Sequence, residues 1–353
     1  MKTKTVELHL LQSFPPSCVN RDGNNSPKDC TFGEHRRARI SSQCLKRAIR
    51  QADEFAEIVG EAVAVRSKQM RDKKLIPYLL EQGLDQAAAE AAADEFRRAL
   101  AKDDKKSHKT SVGLYFGDRE LFALLDAHRS GDKNWKASGG PSSADVALFG
   151  RMLAEARDLN VDAAAQVAHA ISTHKLSQDM DYWTAADDLK TDDPEDDAGA
   201  GMLGVSEFNA SVFYRYACVS LPILKANLQD DELVTKTVEA FLAASHEAIP
   251  TGKQNGHAHS TPPFAAIAVV RRKGMPLNLC NAYLQPVKPS REKGLDQVSV
   301  EALLNHLQAV RGMVFVDDAD YLFATSLPRL DQEEGVERVP GYAALVKGVL
   351  ERL

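Results

Sequence analysis

The chain has 353 residues, 44% of them apolar and 27% charged, with 44 Lys and Arg against 50 Asp and Glu for a formal net charge of −6. That composition belongs to a globular protein long enough for two domains, or for one domain carrying a large insertion, and excludes a disordered or fibrous chain. No apolar run approaches the ~18–20 residues of a membrane span, and five scattered cysteines without a CxxC pair argue against a disulfide framework and a zinc site.

The N-terminus lacks the apolar core of a signal peptide, so a reducing cytoplasm is the expected location. Residues 5–11 alternate β-branched and apolar residues with polar ones and predict a first strand. Pro15-Pro16 and the cluster from Asp22 to Pro27 predict a long loop. A basic segment follows. Between Arg21 and Arg50 there are eight Lys/Arg against three Asp/Glu, a net of +5, so the remainder of the chain sums to −11. Charge concentrated in this way serves steering and neutralisation of a polyanion, and nucleic acid is the expected ligand.

Leu45, Ala48, Ile49, Ala52, Phe55, Ala56 and Val59 recur at three- and four-residue intervals, which predicts one amphipathic helix with Gln43, Lys46, Arg47 and Arg50 on its other side. Ser41 or Ser42 is the expected N-cap. With the cap there, first-turn N–H groups and the positive end of the helix dipole would lie beside Lys46 and Arg50, an arrangement suited to a phosphodiester.

From about Gly60 to His169 the text turns helical, with predicted helices over 75–80, 87–100, 119–128 and 144–156 separated by polar breaks at 102–109 and 138–143. His108 and His128 in this part are expected at the surface. Residues 179–197 hold nine Asp/Glu against one Lys around Tyr182-Trp183, and the flanks at 172–184 and 205–221 predict an extended hairpin with a flexible acidic tip. An aromatic on a projecting hairpin can wedge between bases, and Trp183 is the candidate; packing of Trp183 at the hairpin base is the alternative. Asp179, Asp181, Asp187 and Asp188 offer the carboxylates of a magnesium site for phosphodiester cleavage, although nothing in the spacing makes them converge. His257 and His259 lie in a Gly/Pro-rich loop without a third ligand at diagnostic spacing, so a mobile loop is expected there, with Lys253 and Gln254 as further contacts to nucleic acid.

The last third predicts a helix over 231–248, strands over 265–271 and 279–287, a helix over 298–310, and strands near 313–316 and 321–325. With the first strand and helix, the two later strands, the helix over 298–310 and the strand after it complete the strand-helix-strand-strand-helix-strand order of a ferredoxin-like or RRM-type α+β domain. The central strand text over 265–270 lacks the aromatics that an RRM uses to stack bases on its sheet.

Three separated blocks carry a resemblance. Pro16-Ser17-Cys18-Val19-Asn20-Arg21-Asp22 with Phe32-Gly33, Arg36-Arg37-Ala38-Arg39-Ile40-Ser41-Ser42-Gln43 and Leu45-Lys46-Arg47-Ala48, then Ala168-His169-Ala170-Ile171-Ser172-Thr173-His174 with Asp181-Tyr182-Trp183-Thr184-Ala185, then Phe208-Asn209-Ala210-Ser211-Val212-Phe213-Tyr214-Arg215-Tyr216-Ala217, follow in the order of the CasC (Cse-type) backbone subunit family of the type I-E CRISPR Cascade complex, which the chain resembles. The resemblance implies a modified RRM palm formed by 1–59 and 205–353, a helical fingers insertion over 60–170 and a β-hairpin thumb over 171–204. It also implies a cytoplasmic, non-enzymatic subunit without a cofactor that polymerises head-to-tail along a CRISPR RNA, meets other Cascade subunits, and presents the guide for pairing with target DNA. Together with the basic lead-in, the positions singled out as RNA-binding are Arg21, Arg36, Arg37, Arg39, Ser41, Gln43, Lys46, Arg47, Arg50, Met152, Trp183 and Leu203. Of these, Met152 resembles a palm-side prop for a kinked base, and Trp183 and Leu203 resemble thumb residues, with Trp183 standing where the family is expected to carry Phe. A metal-dependent ribonuclease acting through thumb-region aspartates is the alternative, since a related subunit of another CRISPR type works in that way.

Overall fold

The computed structural model describes residues 5–102, 109–185, 202–327 and 334–353, except for the side chains of Ala185, Met202 and Leu203. His108, Asp187, Asp188 and the rest of the acidic tip lie outside the described residues, as does the Leu203 side chain. From the N-terminus, β1 (Thr5–Ser17) leads through a long loop to the hairpin of β2 (Asp29–Phe32) and β3 (His35–Ile40), then to α1 (Ser42–Arg50) and α2 (Asp53–Val59). The next stretch contains β4 (Ala64–Ser67), α3 (Ile76–Glu81), α4 (Gln86–Leu100), β5 (Leu114–Gly117), α5 (Asp118–Arg129) and α6 (Ala144–Phe149). Short β6 (Ala165–Val167) and β7 (Ala170–Ser172) follow, with the long hairpin of β8 (Asp179–Ala185) and β9 (Met202–Ser220) after them. The chain finishes through α7 (Leu221–Leu228), α8 (Asp231–Glu247), α9 (Gln254–His257), β10 (Ala265–Lys273), α10 (Leu295–Arg311), β11 (Asp318–Thr325), β12 (Glu337–Arg338) and α11 (Tyr342–Leu350).

One sheet organises these elements, in the order β12-β11-β10-β1-β9-β7-β3-β2, with β6 and β8 also paired to β9. β1 is antiparallel to both of its neighbours, β9 and β10, and β7 is antiparallel to β9. The four central strands β10-β1-β9-β7, together with α1 between β1 and β7 and α8 between β9 and β10, make the ferredoxin-like unit. The predicted fold class is therefore present, but built from other members. The second crossover helix is α8, not the helix over 298–310, and the last core strand is β10.

Because side chains alternate along a strand, β1 sends Val6, Leu8 and Leu10 to one face of the sheet and Leu11 to the other. On the first face these residues pack with Ile49 of α1, Phe55 of α2, and Val234, Val238 and Phe241 of α8. On the second face Leu11, Ile267 and Phe323 lie under Leu279, Tyr283 and the Val300, Leu303, Leu304 and Leu307 stripe of α10. The face that an RRM leaves open for bases is thus covered here, and its aromatics Tyr214, Tyr216, Tyr321 and Phe323 are buried under that cover.

A buried polar network lies on this covered face. Glu7 accepts hydrogen bonds from Arg271 Nε and from the Leu277 N–H at 2.7 Å, and Arg271 donates onward to Asp317 at 3.1 Å and to the Tyr321 hydroxyl at 3.3 Å. Asp317 also accepts from Arg311 Nε at 2.9 Å. His9 Nδ1 lies 2.8 Å from the Tyr214 hydroxyl, which accepts the Leu279 N–H at 3.0 Å. Burial, assisted by the Arg271 charge, holds the His9 ring down to a pKa of about 3 and therefore neutral.

Several local expectations are corrected. The predicted helix over Leu45 to Val59 is two helices, because Ala52 adopts extended backbone and serves as the N-cap of α2. The helix expected over 144–156 stops at Phe149, where Gly150 takes φ of +77° and a Cβ would stand 2.9 Å from the Val161 carbonyl oxygen. The strand expected over 279–287 begins instead as a 3-10 helix, Leu279–Tyr283, capped by the Asn278 side chain, and 313–316 contains no strand. The strand text at 279–283 reflects apolar residues, Leu279 and Tyr283, that cover a sheet rather than extend one. Residues 70–159 have their own core, in which Leu75, Leu79, Phe96, Leu100, Phe116, Leu121 and Leu125 are buried.

That unit also contains a buried ion pair. Arg151, buried, donates to both Glu120 oxygens at 2.9 and 2.7 Å, to the Tyr115 carbonyl at 3.1 Å and to the Leu159 carbonyl at 2.9 Å, with its guanidinium 4.1 Å above the Phe116 ring. Burial pushes the Glu120 carboxyl up, against the lowering effect of Arg151. His128, expected at the surface, instead packs edge-on against Trp135 at 5.1 Å.

Candidate nucleic-acid interface

The basic segment folds as the β2–β3 hairpin, the edge of the sheet, and then α1. Alternation along β3 divides its arginines. Arg37 points inward and is fully buried, donating to the Ser172 carbonyl at 2.9 Å, to the Thr173 carbonyl at 3.0 Å and to the Tyr283 carbonyl at 2.6 Å. This corrects the expected role of Arg37. Its guanidinium fastens the hairpin to the body and is enclosed, so it cannot reach RNA, and burial lowers its pKa. Arg36 faces solvent and pairs with Asp29, while Arg39 is half-buried and donates to the Asp29 carbonyl at 3.1 Å.

Ser41 is the N-cap of α1 through its backbone: its carbonyl accepts from Cys44 and Leu45, and its hydroxyl makes no cap bond. Its own N–H donates to Asn20 at 2.9 Å, and the Ser42 N–H donates to His169 Nδ1 at 2.9 Å. His169 must therefore present an unprotonated Nδ1, and burial with nearby Arg39 and Lys28 lowers its pKa accordingly. The side chain of Ser41 is buried, so the expected convergence of free N–H groups and hydroxyls is only partly formed. Gln43 and Arg47 are exposed and Lys46 is half-buried. Arg50 is drawn away from them: its guanidinium lies 5.0 Å over the Tyr115 ring, where α1 meets the unit containing β5. Arg50 itself is half-buried there.

Three grooves run along this surface. One of about 710 Å³ is lined by Asn20, Arg21, Asn25, Arg47 and Thr251, with Asp22, Asp53, Glu54 and Glu247 also on its walls. A second, also about 710 Å³, shares Asn25 and Thr251 with the first and is lined by Trp183, Asp181, Lys253, Gln254 and His257. A third of about 320 Å³ holds Lys28, Arg36, Arg39 and Gln178 together with Asp22, Asp29 and Glu207. Arg21, Arg47 and Trp183 are thereby brought to one continuous surface. Met152 is 88% exposed on the residue next to the buried Arg151, and it lines none of these three grooves.

Trp183 sits directly across the hairpin from Gly204. A Cβ at Gly204 would stand 2.2 Å from the indole, so the glycine allows the ring to lie flat on the neighbouring strand. The indole remains 45% exposed and forms a wall of the second groove. It is therefore both anchored to its hairpin and open to a ligand. Leu203 pairs with Thr184 in the same ladder.

Sequence reasoning gave His169 and Asn25 no part in this surface. The His169 contact joins residues 127 positions apart, and no local pattern signals it. The loop at 250–263 is also better fastened than expected: His259 is buried with Nε2 2.9 Å from the Pro250 carbonyl, and Gln12 donates to the Thr261 carbonyl at 2.6 Å. Among the described residues, no three His, Cys, Asp or Glu side chains gather as a metal site, and no helix is long and apolar enough to cross a membrane.

A ferredoxin-like sheet covered on both faces, an added helical unit, a projecting hairpin and grooves of mixed charge along the basic segment define an α+β protein of the ferredoxin-like type. The chain belongs to the CT1975-like protein family, whose pattern it matches over residues 6–339. Among solved structures, one chain of a CRISPR RNA-guided surveillance complex, pre-nicking, is 30% identical with a TM-score of 0.86, over 98% of this chain and 99% of that one. A chain of another CRISPR RNA-guided surveillance complex is 28% identical with a TM-score of 0.75, over 99% of this chain and all of that one. Comparison with curated proteins gave no significant match. The resemblance to a Cascade subunit read from the sequence is borne out in family and fold.

Proposed function

We propose that this chain is a non-catalytic backbone subunit of a type I-E CRISPR surveillance complex in the cytoplasm, which binds CRISPR RNA and assembles head-to-tail along it with other Cascade subunits. The observation that carries this reading is the continuous surface joining Arg21 and Arg47 to the exposed face of Trp183 through Asn25 and Thr251. Cations along a groove track a phosphate backbone, and an aromatic at its end stacks a base without reading its identity. Arg36, Arg39, Ser41, Gln43 and Lys46 flank the same segment, with Met152 and Leu203 as further base contacts. Sequence is then read by the guide, whose base edges pair with target DNA, while the protein holds backbone and shape.

The test is a salt titration of RNA binding. Replacing Arg21, Lys46 and Arg47 together by Ala is expected to weaken binding and to flatten the slope of log affinity against log salt by about 2, from three lost phosphate contacts on a single strand. An unchanged slope would remove the groove as the RNA site. Separately, Trp183→Ala is expected to cost about 1–3 kcal/mol of RNA affinity at fixed salt, measured by fluorescence anisotropy, with the salt slope unchanged because stacking releases no counterions.

A further inference from the structure

Away from these grooves, two apolar features have no partner among the described residues. The first is a knob on two adjoining turns. Met275 follows β10, and Met313, Phe315 and Val316 connect α10 to β11; Met313 is 85% exposed and Phe315 is 103% exposed. The turns are in contact, since a Cβ on Gly274 would stand 2.5 Å from the Val316 carbonyl oxygen, and Gly274 takes φ of +97°. Exposed large apolar side chains standing together mark an interaction surface, whereas one alone would need no explanation.

The second is a groove of about 560 Å³ between α8 and α11, lined by Ala243, His246, Tyr342, Ala343, Val346 and Leu350. Glu54, Glu239 and Glu247 line it as well, with Lys347 the one cation opposite them. The charges around the two features are complementary. Beside the knob, Asp317 is held by Arg271 and Arg311, and Asp318 and Asp320 by Arg272. Lys273 is left exposed there, outside the ion pairs of the described residues.

We propose that the Phe315 knob of one copy seats in the α8–α11 groove of a second copy, with Lys273 facing the groove's carboxylates. Knob and groove are different patches of one chain, so the contact is heterologous and can repeat from copy to copy, with the rotation between copies deciding between a filament and a ring. This deepens the head-to-tail assembly proposed above and rests on it. The α8–α11 groove shares Glu54 and Glu247 with the first groove of the RNA surface, but neither Phe315 nor Ala343 lines any of the three grooves there, so the two contacts can be tested apart.

The experiment counts copies of the full chain on a single-stranded RNA several footprints long, by native mass measurement. Phe315→Lys and Ala343→Glu, both at exposed positions that folding tolerates, are each expected to weaken copy-to-copy association about thirtyfold, while the first copy binds RNA as the wild type does. Combining both in one chain is expected to restore part of the loss through the new Lys–Glu contact. Single variants that load like the wild type would overturn the proposal. A second readout needs no RNA: a mixture of Phe315→Cys and Ala343→Cys chains, oxidised at high concentration, is expected to give a cross-link between those two positions. Its absence, or a cross-link from Phe315→Cys to a different subunit of the purified complex, overturns the proposal. Failure of the wild type to bind RNA while the cross-link forms would instead count against the RNA-binding reading alone.

Discussion

Arg271→Ala is expected to destabilise the folded chain by about 3–5 kcal/mol, measured by denaturant unfolding near neutral pH. Glu7 is fully buried in the centre of β1, and its carboxylate is compensated by Arg271, the Leu277 N–H and a distant Tyr216 hydroxyl. Removing the guanidinium leaves a charge in the core facing one backbone donor and one weak one, and also frees Asp317 and the Tyr321 hydroxyl from a shared partner. Replacing both members, as Glu7→Leu with Arg271→Met, is expected to recover part of the loss, since the cost lies in the orphaned charge more than in the missing attraction.

The deficit should depend on pH in one direction. Burial already raises the Glu7 carboxyl above 4.5, partly opposed by Arg271, and without Arg271 it rises further. A group with a raised folded pKa contributes stability below its unfolded value and loses it as pH climbs through the folded one. The variant should therefore approach the wild type as the solution is made mildly acidic and fall behind as pH rises. His9 acts oppositely in both chains. Its depressed pKa, about 3, means that stability is lost as pH falls from 6.5 toward that value, so wild-type stability declines in acid while the gap to the variant narrows.

Arg151→Ala is expected to cost a similar amount, about 3–5 kcal/mol, through the unit spanning residues 70–159. Acceptor oxygens and an aromatic face converge on this one side chain: both Glu120 oxygens on α5, the Tyr115 carbonyl and Phe116 ring on β5, and the Leu159 carbonyl. Without it Glu120 is a buried, unpaired carboxylate whose pKa is already raised. The residue also fixes its neighbour. The Arg151 backbone bridges to Val161, and Gly150 supplies the left-handed turn before it, so Met152 is displayed from a braced position. Hydrogen exchange on Arg151→Ala should show lost protection through β5 and α5, with the central sheet, whose core is separate, retaining its own. Equal loss in β1 and β9 would refute this division.

Much of the site is legible in the order of amino acids. The charge excess between Arg21 and Arg50 locates the cationic edge, and the apolar spacing at Leu45 and Ile49 turns Gln43, Lys46 and Arg47 outward, as observed. The aromatic at 183 reads as a hairpin residue and it is one. What composition could not divide is the arginine cluster itself. Arg36, Arg37 and Arg39 look alike in sequence, but strand alternation and the approach of residues 172, 173 and 283 bury only the middle one. Arg50 is similarly taken by Tyr115, a partner 65 positions away.

The class of fold, the basic edge, the hairpin with its tryptophan and most helices follow from the chain's local text, because these depend on periodicity and on charge within a few residues. Three outcomes were settled by packing alone: which strand and helix complete the ferredoxin-like unit, that the second sheet face is covered, and which cations face outward. They depend on pairings between distant segments: β1 takes β9 and β10 as neighbours, with partners such as Thr5 and Ser220 or Thr5 and Arg271 far apart in the chain. A desolvated polar group takes whatever partner the packed chain brings to it, and no local pattern encodes that choice.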